Sequence, residues 1–550
     1  SLAAKLAKEF DGRLRISYSG GADYYNIERI VDAGIWPVTV ATTLLKPGGY
    51  QRLTQMAKLL DKENAPFEKV DAESAGKLAE EAVKDPHHVK AMKPLPSRKM
   101  KKEVPLMDCF VAPCKEGCPI HQDITTYLQL VGEEKYEEAM EVITEKNPLP
   151  FITGTICAHN CMSKCTRNFY ETPVHIREMK LKAAENGYEA LLEKLPVPAV
   201  TKAGKAAVIG GGPAGMAAAY FLRKGGMEVT LFEAKESLGG VVRHVIPPFR
   251  ISEDAIEKDA EILRKMQVDI HCNTKLESLE ELKKQGYTKI VLAVGAPVQG
   301  SLKLESGMPK NALEFLAEFK QTDGKVSLGK HVVVIGGGNT AMDTARAAKR
   351  NAGVEHVYLI YRRTRRYMPA DEEELVMALE DGVEFKELLS PVKLENGQLF
   401  CKVMQLSDYD VSGRRGVTET GETVWVPADT VIAAVGEKVP TDWYQANGLA
   451  VSEKGRLYVD EKTLKTSDDN VYAAGDGLYG PATVVEAIRD GRKVAEAIAG
   501  EVLACDFDKL AEEEKVYAKR GVLKEEQKET KEAGRCLGCS TICENCVEVC

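Results

Sequence analysis

Gly210-Gly211-Gly212-Pro213-Ala214-Gly215 follows a short apolar run at 206–209 and opens a helix-patterned stretch. About 125 residues later, Gly336-Gly337-Gly338-Asn339-Thr340-Ala341 follows the run 332–335 and does the same. Strand, glycine-rich turn and helix in that order are the context in which a backbone holds a dinucleotide. Gly210 permits the tight turn, Gly212 lets the main chain approach a pyrophosphate, and Gly215 lets the helix pack on the strand. The helix N-terminus then offers N–H groups and the positive end of its dipole. One such loop is a weak signal. Two predict a duplicated Rossmann-like α/β architecture, with one nucleotide-binding domain nested in the other.

What lies downstream of each loop separates the two nucleotides. After a strand at 228–232 stands Glu233, whose carboxylate would accept bonds from the ribose hydroxyls of an adenosine. Gly239-Gly240 look like a further close-approach loop, and a strand ending at Gly295 would close this lobe. Far off, Val471-Tyr472-Ala473-Ala474-Gly475-Asp476-Gly477 resembles the second FAD motif of two-dinucleotide-binding flavoproteins, in which the aspartate binds the ribityl chain. A helix from Thr483 would aim its N-terminus at the pyrimidine side of the flavin. FAD is therefore expected on Gly210, Gly212, Pro213, Ala214, Gly215, Glu233, Gly240, Gly295, Gly475, Asp476 and Thr483. The second loop offers Gly336, Gly338, Asn339 and Thr340, and the strand at 356–361 ends in Arg362-Arg363-Thr364-Arg365-Arg366 with no acid. Arginine pairs with a 2′-phosphate through a charge-assisted fork, so NADPH is expected over NADH, with Arg362 and Arg363 as its readers.

The totals exclude several classes. A chain of 550 residues should hold several domains, since one usually takes ~100–200. A net charge of −9 argues against a nucleic-acid or anionic-membrane surface. No apolar run approaches the ~18 residues of a membrane span, and no signal peptide is visible. Beginning Ser1-Leu2 and stopping at Cys550 inside a cysteine series, the chain looks like a piece of a longer, cytoplasmic polypeptide.

Residues 1–65 read as strand (14–18), helix (27–32), strand (37–41) and helix (50–60). They resemble the C-terminal end of a TIM barrel of the dihydroorotate dehydrogenase type, in which Ser19-Gly20-Gly21 and Thr42-Thr43 would be flavin-phosphate loops; an FMN site there needs the missing upstream part. Residues 66–105, rich in Lys, Glu and Pro, read as a linker. Residues 106–197 alternate cysteine loops with helix-patterned segments, as a helical iron–sulfur domain would. Residues 198–300 and 435–502 are expected to form the FAD domain and 301–434 the NADPH domain. Residues 503–550 read as a charged helical segment leading into the start of a ferredoxin-like module.

Eleven of the fourteen cysteines fall in two regions, while Cys272, Cys401 and Cys505 read as ordinary reduced thiols. Cys109-x4-Cys114-x3-Cys118-Pro119 precedes Cys157-x3-Cys161-x3-Cys165, and Cys536-x2-Cys539-x3-Cys543-x2-Cys546-x3-Cys550 ends the chain. Thiolates so spaced suit iron in [4Fe–4S] clusters, with zinc as the rival reading.

With Asn147-Pro148-Leu149-Pro150, Ile246-Pro247-Pro248-Phe249-Arg250, Tyr361-Arg362-Arg363 and Met368-Pro369-Ala370, residues 105–500 resemble the small subunit of glutamate synthase. They are also similar to the electron-input half of dihydropyrimidine dehydrogenase and to bifurcating NADPH–ferredoxin oxidoreductases. The resemblance implies two interleaved clusters, one on Cys109, Cys114 and Cys165, the other on Cys118, Cys157 and Cys161. Leu106 stands where a further leading cysteine is usual, and Lys180 where Glu or Gln supplies a ligand. Fourth ligands are thus unidentified, with Asp108, His121, His159 and Glu178 as nearby candidates. The cysteine tail resembles the opening of a bacterial ferredoxin module. Barrel end, cluster domain, nucleotide unit and tail in this order look like the iron–sulfur flavoprotein subunit of selenate reductases. That implies an enzyme moving hydride from NADPH to FAD and single electrons onward. The receiver would be a redox partner protein or a molybdenum-type oxidoreductase subunit, within a larger complex. A glutamate synthase small-subunit-like donor and a non-catalytic cofactor-bearing scaffold are the alternatives.

Overall fold

Two five-stranded parallel sheets carry the glycine loops. The first is ordered Val471–Ala473, Tyr287–Leu292, Lys205–Ile209, Glu228–Phe232 and Asp269–His271. The second is ordered Glu384–Glu387, His356–Tyr361, His331–Ile335, Thr430–Ala433 and Lys310–Asn311. Their central strands are apolar and buried almost throughout, as parallel strands covered on both faces must be. This computed structural model describes residues 2–45, 49–60, 67–85, 111–169, 172–300, 302–409, 415–500, 531–536 and 538–539. They divide into two units, residues 1–99 with 167–172, and residues 100–166 with 173–550.

In the larger unit the second sheet is nested between strands of the first. The chain crosses between the lobes at Val298–Gln299 and returns at Glu437–Lys438, and these two short strands pair antiparallel. An antiparallel sheet of Leu389–Glu395, Gln398–Tyr409 and Arg415–Pro427 is added to the inner lobe. Ile124, Met140, Ile152 and Leu191 of the helical cysteine domain share one apolar core with Val208, Phe221, Ile256 and Val494 of the outer lobe. The inner lobe has separate cores, around Phe315, Val332 and Met342 and around Val333 and Leu399. Helical domain and outer lobe are thus one body, and the inner lobe is joined to it by ion pairs and ring contacts. Among these, Arg250 pairs with Glu374 and approaches Asp343 to 3.4 Å, while Phe249 lies under Arg350 at 4.3 Å.

The helical domain is fixed by polar groups at one helix start. Asn147 accepts the N–H of Leu149 at 3.1 Å and donates to Thr153 at 2.7 Å, which sets the turn into the helix Pro150–Ile156. The N–H groups of Phe151 and Ile152 donate to the two oxygens of Asp259, at 3.1 and 2.8 Å. Asp259 lies on Glu253–Lys265 of the outer lobe, so one carboxyl group caps a helix of one domain from another. Its side chain is fully buried, and burial holds its carboxyl well above the usual range against those two N–H bonds and Lys180.

The smaller unit holds two parallel strands, Tyr18–Ser19 and Val38–Thr39, with helices Leu2–Glu9, Ile27–Asp32, Gly49–Leu59 and Ala72–Ala82. The strands are shorter than 14–18 and 37–41, because only two residues of each find a partner. The expected linker 66–105 is corrected in its first part. Asp71 caps Ala72–Ala82 by accepting from Glu73, and Val70 and Ala75 join the core of Ala7, Ile27 and Ile30. Lys and Glu on the outer face hid this helix from composition. Among the described residues no helix is long and apolar enough to cross a membrane.

Replacing Asp259 with Ala removes two hydrogen bonds and strands two buried donors, a cost of about 2–4 kcal/mol. Urea unfolding should show that loss, with Asp259→Asn less affected because it keeps an acceptor. A shift below ~0.5 kcal/mol would mean the cap is dispensable.

Candidate functional site

The residues expected to hold FAD converge at the C-terminal ends of the outer sheet's strands, where doubly wound sheets bind ligands. A Cβ at Gly215 would stand 1.8 Å from the Gly210 carbonyl oxygen, so the helix Pro213–Lys224 meets its loop only with glycine there. At Gly212 such a Cβ would meet nothing nearer than Gly240 Cα, at 3.8 Å. That leaves an open cradle over a helix N-terminus, which fits a pyrophosphate. Glu233 is buried and tensions the loop: its oxygens accept from Gly211 N–H at 2.6 Å and Lys235 N–H at 2.8 Å. Each oxygen keeps a further lone pair for a ribose hydroxyl.

Gly475 closes the cradle from the far end of the chain. Its φ is +72°, and a Cβ there would stand 2.7 Å from Ala214 Cβ. Gly295 abuts Gly477, whose Cβ would lie 3.2 Å from the Gly295 oxygen. Asp476 accepts from Ala482 N–H at 3.0 Å, just before the helix Val484–Ala499. Burial pushes its carboxyl up to about 6, with Glu437, Glu486 and Asp490 adding to the rise and the Ala482 bond opposing it. Thr483 departs from expectation in detail. Its hydroxyl and N–H both bond Glu486, so the side chain serves as the helix cap.

The inner lobe repeats the cradle. Gly337 lies against the Tyr361 ring, where a Cβ would stand 2.5 Å from it, while a Cβ at Gly338 would meet no atom within 4 Å. Gly336 packs on Ala434, and Thr340 lies in the first turn of Asn339–Arg350. Asn339 accepts the N–H of Asp371 at 3.0 Å and so pins the Met368-Pro369-Ala370 segment beside the loop. The two arginines separate. Arg363 donates from Nε to the Arg415 carbonyl at 2.9 Å and holds the antiparallel sheet, and Arg365 pairs with Glu372 at 3.0 Å. Arg362 is exposed at the strand end.

Cys118, Cys157 and Cys161 are buried together, with Cys118 and Cys157 ending the helices Pro113–Gly117 and Pro150–Ile156. Burial pushes the Cys118 thiol up and Cys161 up to about 12; Lys180 opposes both, and backbone bonds from Gln122 and Ile120 also favour the Cys118 thiolate. Thiols this crowded ionise together only around a cation, so the donor set fits an iron–sulfur cluster. Lys180 is buried and brings an ammonium to the place of the expected Glu or Gln. Of the fourth-ligand candidates, His121 lies 3.7 Å from Glu116 and His159 3.1 Å from Glu373, while Glu178 meets Arg177 at 3.2 Å through Oε1 and keeps Oε2 buried without a hydrogen-bond partner. Cys114, buried, has Cys161 and Cys165 for neighbours and, unexpectedly, Cys536 and Cys539. Cys401 is buried in the inner lobe and Cys272 partly buried in the outer. Leu106, Asp108, Cys109, Cys505, Cys543, Cys546 and Cys550 lie outside the described residues.

Residues 204–491 match the pyridine nucleotide-disulphide oxidoreductase family. Residues 1–90 match the N-terminal TIM-barrel domain of oxidoreductase YgfK, and 95–190 the dihydropyrimidine dehydrogenase domain II, 4Fe-4S cluster. The oxidoreductase YgfK of Escherichia coli (strain K12) is 39% identical over 100% of this chain and 55% of its own length. The glutamate synthase [NADPH] small chain of Azospirillum brasilense is 33% identical over 71% of this chain and 86% of its own. The NAD-dependent dihydropyrimidine dehydrogenase subunit PreT of Escherichia coli (strain K12) is 31% identical over 71% and 91%. The chain spans about half the length of the YgfK relatives it matches. These matches and the two sheets carry FAD, NAD(P)H and [4Fe–4S] clusters as the cofactors of an oxidoreductase.

Ribityl hydroxyls that donate to Asp476 require its charged form, so FAD binding should release the proton held below about pH 6. FAD affinity of the apoprotein should be level above about pH 7 and fall by up to roughly tenfold per unit below about 6. Asp476→Asn should bind more weakly at neutral pH and lose that slope. An unchanged slope in the variant would assign the pH dependence to another group.

Proposed function

The chain belongs to the pyridine nucleotide-disulphide oxidoreductases, and from that premise we propose that it draws hydride from NADPH and delivers single electrons to a partner through FAD and [4Fe–4S] clusters. The observation that carries this is the continuous core between the cysteine domain and the flavin-type lobe, with the nicotinamide-type lobe on cores of its own. When bound, FAD supplies the conversion between a two-electron hydride donor and one-electron acceptors. The chain's residues position and select. Gly212 and Glu233 seat the adenosine diphosphate half, Asp476 holds the ribityl chain, and Arg250 latches the donor lobe. One relative's name specifies NADPH and another's NAD, so the coenzyme is argued from this chain alone. Exposure of Arg362 at the strand end supports it as the reader of a 2′-phosphate.

Two of these relatives are named as a small chain and as a subunit, which supports work within a larger complex. For the partner we favour a redox protein or a molybdenum-type oxidoreductase subunit. The order of barrel end, cluster domain, nucleotide unit and cysteine tail supports an iron–sulfur flavoprotein subunit of the selenate reductase type. Cysteines kept as thiolates for clusters support a cytoplasmic setting.

Anaerobic mixing with NADPH should bleach the flavin absorbance within the turnover time, and no bleaching by either coenzyme would leave only a scaffold role. Arg362→Ala should raise the NADPH concentration for half-maximal bleaching about tenfold or more, the ~1.5–3 kcal/mol of a charge-assisted contact. Its effect on NADH should stay within about twofold. Equal loss for both coenzymes would show that Arg362 does something else.

A further inference from the structure

The last described residues return to the cysteine domain. The helix Lys531–Gly534 packs on Ile124–Gly132 and Ile176–Lys194, with Ala533 buried in the shared core. Glu532 accepts the N–H of His175 at 2.7 Å and pairs with Arg535 at 2.7 Å, and Arg535 donates to the Pro173 carbonyl at 3.4 Å. Just beyond, Cys536 and Cys539 pack, half-buried, against the core that contains Cys114, with Cys165 beside it. Cys539 Sγ lies 3.1 Å from the hydroxyl of Thr166, the residue after Cys165. Cys114 has Cys536, Cys161, Cys539 and Cys165 as neighbours.

We propose that Cys114, Cys165, Cys536 and Cys539 ligate one [4Fe–4S] cluster, so that the C-terminal Cys-x2-Cys pair completes an iron–sulfur site of the N-terminal cysteine domain. This rests on the relay reading only in that iron–sulfur clusters are bound. It also adds a donor pair to a cysteine series that, by the family resemblance, lacks a leading thiolate because Leu106 stands in its place. Four thiolates from three separate segments suit a cubane, in which each ligand takes a different iron and the sulfurs stand further apart than around one ion. Closing a loop of this length costs only logarithmically more than a short one, so a cluster is an effective staple for a remote tail. The tail would then be an iron-dependent part of the cysteine domain. That differs from a separate ferredoxin module built on Cys536, Cys539, Cys543 and Cys546, which would leave Cys114 and Cys165 with other partners.

The test uses the full chain, reconstituted anaerobically with iron and sulfide, as wild type and as Cys114→Ser, Cys536→Ser, the double variant and Cys109→Ser. Flavin absorbance reports whether each is folded. Cys114→Ser and Cys536→Ser should each lose the same EPR signal of the dithionite-reduced protein, with about four irons per chain. The double variant should lose no more than either single one, and Cys109→Ser should keep the signal. Loss of different signals with additive iron loss, or loss of this signal in Cys109→Ser, would overturn the assignment while leaving the relay intact. A wild type without iron or acid-labile sulfide would overturn both. Hydrogen exchange gives an independent readout if a variant folds poorly. Backbone amides of 532–536 should be protected in the wild type and should exchange freely in Cys114→Ser and in chelator-treated wild type. Protection that survives chelation would show a tail held without the cluster.

Discussion

The near-contact of Gly215 with the Gly210 carbonyl, held in tension by Glu233, is the constraint on which the larger unit is built. It forces a helix to start directly over the C-terminal end of a strand, and so creates the cradle at Gly212. Gly475, in a left-handed conformation against Ala214, then ties the returning chain to the same point. Because the whole inner lobe is inserted between these two contacts, its position is set by the outer lobe's closure. A side chain at Gly475 would separate it from Ala214, an element hundreds of residues away in sequence.

The cysteine domain is joined to this frame by substance more than by tether. One apolar core runs from Tyr127 and Ile152 to Phe221 and Val494, and Asp259 caps a cysteine-domain helix from the flavin-type lobe. The helix so capped ends at Cys157, so the same carboxylate sets where one buried thiol sits. Lys180, near both Asp259 and the thiols of Cys118 and Cys161, adds a cation where the related families are expected to place a ligand. A positive charge beside an iron–sulfur site favours its reduced state, which suits a cluster that must accept electrons.

Much of this was legible because the signals are local. The glycine loops, Glu233 and the Gly475-Asp476 turn are read from a few adjacent residues, since backbone geometry demands those residue types there. What stayed hidden depends on contacts distant in sequence. Arg363 resembles Arg362 in every local respect, and its bond from Nε to the carbonyl of Arg415, at the start of a strand some fifty residues on, has no mark in the sequence. The helix Ala72–Ala82 was masked by its charged outer face, although its buried Ala75 and its Asp71 cap were there to be read. The return of Cys536 and Cys539 has no local mark at all. A Cys-x2-Cys pair reads the same whether it opens a new module or completes an old one.

The central claim is that reducing equivalents reach iron only by way of the flavin. Anaerobic EPR of the protein mixed with NADPH, once with FAD bound and once after FAD is stripped, tests it most directly. Cluster signals are expected to appear with FAD and to be absent without it, while dithionite reduces the clusters in both. NADPH reduction of the clusters at equal rates in flavin-free protein would contradict the relay, as would clusters that stay oxidised beside a reduced flavin.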